Sequence, residues 1–86
     1  MPEISRFLGI VVAMFYGDHP LPHFHVRYGD DRAIIDIDAL QLLAGWLPPR
    51  VLGLAIEWGA LHRHELLENW HRARRQEPLV PVAPLE

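Results

Sequence analysis

From Ile10 to Tyr16 the chain is apolar on both alternating sets, Ile10-Val12-Met14-Tyr16 and Val11-Ala13-Phe15. β-Branched and aromatic residues without helical spacing predict a strand, and apolarity on both faces predicts a central one. Gly17-Asp18-His19-Pro20-Leu21-Pro22 then breaks the run with a glycine and two prolines, a loop signal. Alternation resumes at His23, with Phe24, Val26 and Tyr28 on one face and His23, His25 and Arg27 on the other. Gly29-Asp30-Asp31 marks a turn. From Ala33 to Asp38 the pattern is again that of a strand, Ala33, Ile35 and Ile37 opposing Ile34, Asp36 and Asp38. Leu40 to Leu47 suits a short edge strand, which Gly45 weakens.

The loop between the second and third of these strands decides which side chains face each other, because a one-residue slip turns every side chain over. A four-residue loop, Gly29 to Arg32, pairs Phe24 with Ile37 and Val26 with Ile35, and sets His25 opposite Asp36 and His23 opposite Asp38. A two-residue loop leaves only His23 facing Asp36. Both registers give at least one histidine a carboxylate across the ladder.

Pro48-Pro49 fits the first turn of a helix, where a missing N–H has no cost. From Arg50 to about Arg75, residues Val51, Leu54, Trp58 and Leu61, with Leu52, Ile56, Leu66, Leu67 and Trp70, form a broad apolar stripe. Glu68 and Arg72 are spaced as a favourable i, i+4 pair. One straight helix of this length is unusual in so small a domain, so Gly59 to His64 is the place for a kink or break. Pro78, Pro81 and Pro84 make the last residues, 76–86, an extended tail whose leucines and valines pack on the body or on a partner. The expectation is one α+β domain over residues 1–86: a small, mostly antiparallel three- or four-stranded sheet with a long C-terminal helix across one face. Trp58, Leu61 and Trp70 would meet Phe24, Val26 and Ile35 in its core.

Composition narrows the function. Half of the 86 residues are hydrophobic and 22% are charged, which is ordinary globular usage. A domain this small is marginally stable alone, so a partner or a homo-oligomer fits it. With no cysteine, the chain has no disulfide framework, thiolate zinc site or cysteine nucleophile. The run from Phe7 to Tyr16 is too short to span a bilayer and lacks the basic leader of a signal peptide, so the cytoplasm is the expected location and no membrane partner is implied. The net charge of −3 gives no overall attraction to nucleic acid. Acids cluster mid-chain at Asp30, Asp31, Asp36 and Asp38, and bases near the end at Arg72, Arg74 and Arg75.

Four stretches carry a resemblance: Pro2-Glu3-Ile4-Ser5-Arg6-Phe7; Asp18-His19-Pro20-Leu21-Pro22-His23-Phe24-His25-Val26; Leu47-Pro48-Pro49-Arg50; and Glu57-Trp58 through Leu61-His62, Glu65-Leu66-Leu67 and Asn69-Trp70. Together they resemble the domain of unknown function 4160 family of small bacterial proteins, over nearly the whole chain to Glu77-Pro78-Leu79. The resemblance implies no established activity. It implies a place beside another small protein in a two-gene, toxin–antitoxin-like module, so that the partner is the cognate product of the neighbouring gene. Its motif residues here are His19, His23, His25, His62, Glu65 and Asn69, while Trp46 departs from the polar residue more usual at that point.

Two clusters carry candidate chemistry. His23 and His25 share a strand face, with His19 in the preceding loop. Paired imidazoles suit metal-independent RNA cleavage, one taking the 2′-hydroxyl proton and the other protonating the leaving oxygen. Arg27 on the same face would steady the phosphate. His19, His23 and His25 could instead bind a metal ion, with Asp36 and Asp38 orienting the imidazoles. In the second cluster, His62, Glu65 and Asn69 lie along one helix face, where Glu65 would orient His62 and Asn69 would bind a carbonyl or phosphate oxygen. The functional expectation is a toxin-like component of a two-gene module acting as a histidine-dependent RNase. The alternatives are a non-enzymatic binding or regulatory module, antitoxin-like, and a small histidine-based metal-binding domain.

Overall fold

A two-residue turn at Leu8-Gly9, both at positive φ (51° and 79°), reverses the chain between two strands that the alternation pattern does not separate. Two consecutive positive φ values match the right-handed twist of the flanking strands and give the tightest hairpin. The computed structural model describes residues 2–17 and 21–86; Asp18, His19 and Pro20 lie outside the described residues. It contains β1 (Glu3–Phe7), β2 (Ile10–Ala13), β3 (His23–Tyr28), β4 (Asp31–Asp36) and β5 (Leu42–Gly45), followed by α1 (Pro49–Leu61) and α2 (Arg63–Arg74). The strands form one sheet in chain order, each antiparallel to the next.

The α+β class stands, but three or four strands with one long helix does not describe the molecule: it has five strands and two helices. The extra strand is β1. A register shift between Glu3 and Ser5 buries the adjacent Ile4 and Ser5 together and hides the two-residue period. Its turn also lacks the usual Asn-Gly or Asp-Gly signal, because an exposed leucine takes the first position.

The helix divides at His62, whose φ of −120° and ψ of 26° leave the helical region. Here Glu65, in the first turn of α2, accepts a hydrogen bond from His62 Nδ1 at 2.6 Å. The His62 ring lies 5.4 Å from that of Trp58. Arg63 donates to the carbonyls of Ile37 and Asp38, both at 3.3 Å. The two local contacts and the tertiary reach of Arg63 together hold a bend that a continuous apolar stripe does not announce.

The bend sends the two helices to different places. Phe7, Phe24 and Trp58 meet in the core, with ring centroids 5.6 and 5.8 Å from Trp58, and Ile10, Val12, Val26, Ile35 and Ala55 are buried around them. Leu61, expected in the core, is exposed because the helix ends there. α2 crosses the ends of the strands instead. Arg63 reaches the chain leaving β4, Trp70 packs against His23 at the start of β3, and Tyr16 beyond β2 donates its hydroxyl to the Glu77 carbonyl at 2.9 Å. Among the described residues, no helix is long and apolar enough to cross a membrane.

The tail packs on the body. The Asn69 amide donates to Val80 O and accepts from Val80 N, both at 2.8 Å; Trp58 Nε1 donates to Ala83 O at 2.9 Å; Val82 N donates to Ile4 O at 2.8 Å. Val82 is thereby buried against the outer edge of β1.

Candidate functional site

The β3–β4 hairpin closes with the two-residue loop, Gly29-Asp30, so Phe24 faces Ile35, Val26 faces Ala33, His25 faces Ile34 and His23 faces Asp36. Of the two registers open to the sequence, this one leaves His25 opposite an isoleucine. It also sets Arg27 opposite Arg32. Phe24 and Val26 point into the core, so His23, His25 and Arg27 lie on the sheet face away from it.

That outer face forms a groove of about 270 Å³. Val11, Ala13 and Phe15 line one side, Ile34 and Ala44 the other, and His25, Arg27 and Arg32 supply its polar groups. The row Arg6–Val11–Arg27–Arg32 runs straight across β1 to β4. Like charges directly opposite on a sheet repel, and an anion between them relieves the repulsion. Among the described residues, no hydrogen bond or ion pair engages the guanidinium of Arg27 or of Arg32.

Arg6 is already spoken for by Glu3, through Nε (3.1 Å) and Nη2 (2.8 Å). This hydrogen-bonded pair holds the Glu3 carboxyl below its ordinary 4.5, with the charges of Arg6 and Arg27 adding to the effect, and Arg75 does the same to Glu77. Depressed folded-state values mean a contribution to stability present above about pH 4.5 and lost as the pH falls through them. A Glu3→Gln, Glu77→Gln double variant is therefore expected to show a shallower decline of Tm on acidification than the wild type. An unchanged acid limb would show that these exposed pairs contribute nothing measurable.

The two strand histidines differ in setting. Their ring centroids are 5.2 Å apart. His25 is half-buried and meets Phe15 edge-on at 4.5 Å. His23 is only 5% exposed, lies 5.0 Å from Trp70, and has Nδ1 at 2.7 Å from the carbonyl oxygen of Leu21. That contact places the proton of the neutral ring on Nδ1 and the lone pair on Nε2. Asp36 stands across the ladder from His23, but its Oδ1 accepts from the backbone N–H groups of Asp38 (2.8 Å) and Ala39 (3.1 Å), tying the turn after β4. Asp38 is exposed and meets Arg63 through its backbone carbonyl.

The second cluster is elsewhere. His62 and Glu65 form a hydrogen-bonded pair at the start of α2, whereas Trp70, the neighbour of His23, lies seven residues beyond Arg63, about 10 Å along the helix. Asn69 is 1% exposed and both ends of its amide are used by Val80, so its role here is to hold the tail. His19 lies outside the described residues. Among those described, no three His, Cys, Asp or Glu side chains are grouped to hold a metal ion.

Sequence reasoning did not single out Arg32, Phe15 or Trp70 for this site. Phe15 shares an alternating set with Val11 and Ala13 and was open to discovery. Arg32 needed the register, and Trp70 needed the helix break.

The molecule is thus a small α+β domain with a helix-covered sheet face and an open one that carries two neighbouring arginines and a histidine. The chain belongs to the domain of unknown function (DUF4160) family, whose model matches residues 9–71 and leaves β1 and the tail outside the matched stretch. No curated protein and no solved structure matches it.

Proposed function

We propose that the protein is the toxin-like component of a two-gene module and that it acts on single-stranded RNA laid across the open sheet face. The observation carrying this reading is the cross-strand pair Arg27 and Arg32 beside the apolar groove. An exposed antiparallel sheet with cations for phosphates and flat apolar side chains for bases is a common platform for unstacked RNA. Phe15 and His25 offer ring faces or edges to a base, and Arg27 and Arg32 clamp the adjoining phosphate. In the cleavage step the Nε2 lone pair of His23 takes the 2′-hydroxyl proton, the 2′-oxygen attacks phosphorus as the bond to the 5′-oxygen breaks, and His25 in its protonated form gives a proton to the departing 5′-oxygen.

Binding and cleavage separate experimentally. Fluorescence anisotropy with a labelled single-stranded RNA should give salt-dependent binding that falls at least about tenfold in an Arg27→Gln, Arg32→Gln variant, with a slope smaller by about 0.7 for each phosphate that the variant no longer neutralises. Binding that ignores both salt and these arginines would sink the reading. Induction of the wild type should arrest growth of a bacterial host, and a folded His23→Ala, His25→Ala variant should not.

A second reading, a non-enzymatic binding module for the cognate small protein, is favoured by one observation: the burial of His23, which leaves His25 as the accessible imidazole of the pair. Under this reading the histidine changes are silent in growth, while the arginine changes weaken capture of the cognate protein. A histidine-based metal site is tested separately, by metal analysis of protein purified without chelator.

A further inference from the structure

The sheet has two edges, and they are finished differently. Outside β1 the tail approaches, Val82 N donating to Ile4 O, and charged Glu3 and Arg6 sit on the strand itself. Outside β5 nothing among the described residues lies along the strand. Every residue of β5 is exposed; Leu43 is 40% exposed and Trp46, just beyond it, 58%. From Leu40 to Leu47 there is no charged residue, and no proline before Pro48. Natural edges are normally protected by charge, proline, a bulge or a cover, because their unpaired N–H and C=O groups recruit another strand. β5 carries one such device, a bulge in which Leu43 stands between Ala44, opposite Ile34, and Leu42, opposite Ile35; charge, proline and a cover are lacking among the described residues.

We infer that β5 pairs antiparallel with β5 of a second copy of this chain, joining two five-stranded sheets into one. Three observations select that occupant. The tail at β1 blocks a β5-to-β1 contact, which would propagate as an open filament, so the available contact is isologous and closes as a two-fold dimer. A strand that meets itself must tolerate its own charges, and β5 has none. Trp46, Leu42 and Leu43 also lie along the same edge, so self-pairing removes exposed apolar surface that a domain of 86 residues can use. Because Trp46 N donates inward to Arg32 O, the alternation of an antiparallel ladder turns the N–H and C=O of its neighbour Gly45 outward. The inference does not rest on RNA binding: the contact uses the backbone edge of β5, whereas Arg27 and Arg32 belong to β3 and β4 and line the open face, which β5 reaches through Ala44 and Gly45.

Sedimentation velocity over a wide concentration range is expected to show a species of twice the 9.9 kDa chain. Leu43→Lys, at an exposed site that the fold does not depend on, should raise the dimer dissociation constant at least about tenfold by setting like charges together. Since the chain lacks cysteine, single cysteines report geometry directly. Either Leu43→Cys or Ala44→Cys, according to where the two-fold axis falls, should give a disulfide-linked dimer on mild oxidation, and Glu57→Cys on the exposed side of α1 should not. A monomer at all concentrations, a dimer indifferent to Leu43→Lys with native circular dichroism, or equal cross-linking at Glu57 would each overturn the inference.

Discussion

Replacing Trp58 with alanine is expected to destabilise the protein by about 3–5 kcal/mol, the usual cost of removing a large aromatic from a core. That is a large fraction of the stability of a small domain, which is commonly only about 5–15 kcal/mol. Trp58 is 0% exposed and its indole touches four separate parts of the chain. It packs on Phe7 from β1 and Phe24 from β3, supports the His62 ring at the helix break, and holds the tail through Nε1 to Ala83 O. The alanine variant therefore leaves a cavity under the sheet and releases the tail in one change. Trp58→Phe separates the two effects, keeping most of the ring volume and losing about 1 kcal/mol for the hydrogen bond. Urea unfolding of both variants is the measurement. A Trp58→Ala protein within about 1 kcal/mol of wild type would mean that the indole is not the centre of the core.

Gly45→Ala is expected to cost about 3 kcal/mol or more and to detach β5 before the rest of the sheet unfolds. A Cβ at Gly45 would lie 2.1 Å from the backbone oxygen of Arg32 and 2.8 Å from Ala33 Cα, and neither atom can swing aside as a flexible side chain can. The residue also sits at φ +84°, which an alanine adopts only under strain. Gly53, on the exposed side of α1 with nothing within 4 Å of its would-be Cβ, is the control. Gly53→Ala is expected to stabilise by about 0.5–1 kcal/mol through helix propensity. Hydrogen exchange should show faster opening of β4 and β5 amides in the Gly45 variant, and loss of the β5-mediated dimer with it. Equal effects at the two glycines would refute the packing argument for Gly45.

Much of the architecture was legible along the chain. The alternation in His23–Tyr28 assigned each side chain of β3 to its face, because a strand has only two. Phe24 and Val26 went to the core and His23, His25 and Arg27 to the other side, as observed. The prolines at 48 and 49 marked the helix start. β1 was not legible, since its bulge breaks the period and Leu8-Gly9 replaces the common turn dipeptides. The helix break fell at His62, inside the stretch where one was expected, but the division into two separately docked helices depends on Trp58 and Arg63 finding partners far off in sequence.

The candidate site shows the same division. Residue types and faces were local information, so the histidines, Arg27, Asp36 and the pairing of His62 with Glu65 three residues on were all within reach of the sequence. Their companions were not. The two-residue loop, chosen by how the sheet packs, put Ile34 opposite His25 and Arg32 opposite Arg27. The crossing of α2 brought Trp70 to His23, and the tail's return used up the Asn69 amide. By itself the sequence determined the family, the α+β class and the side chains available on each face, because these rest on composition and on periods of two and 3.6 residues. Only the tertiary structure decided strand register, the helix break, which carboxylates were already engaged and which sheet edge stayed open, because each is settled by contacts between residues distant along the chain.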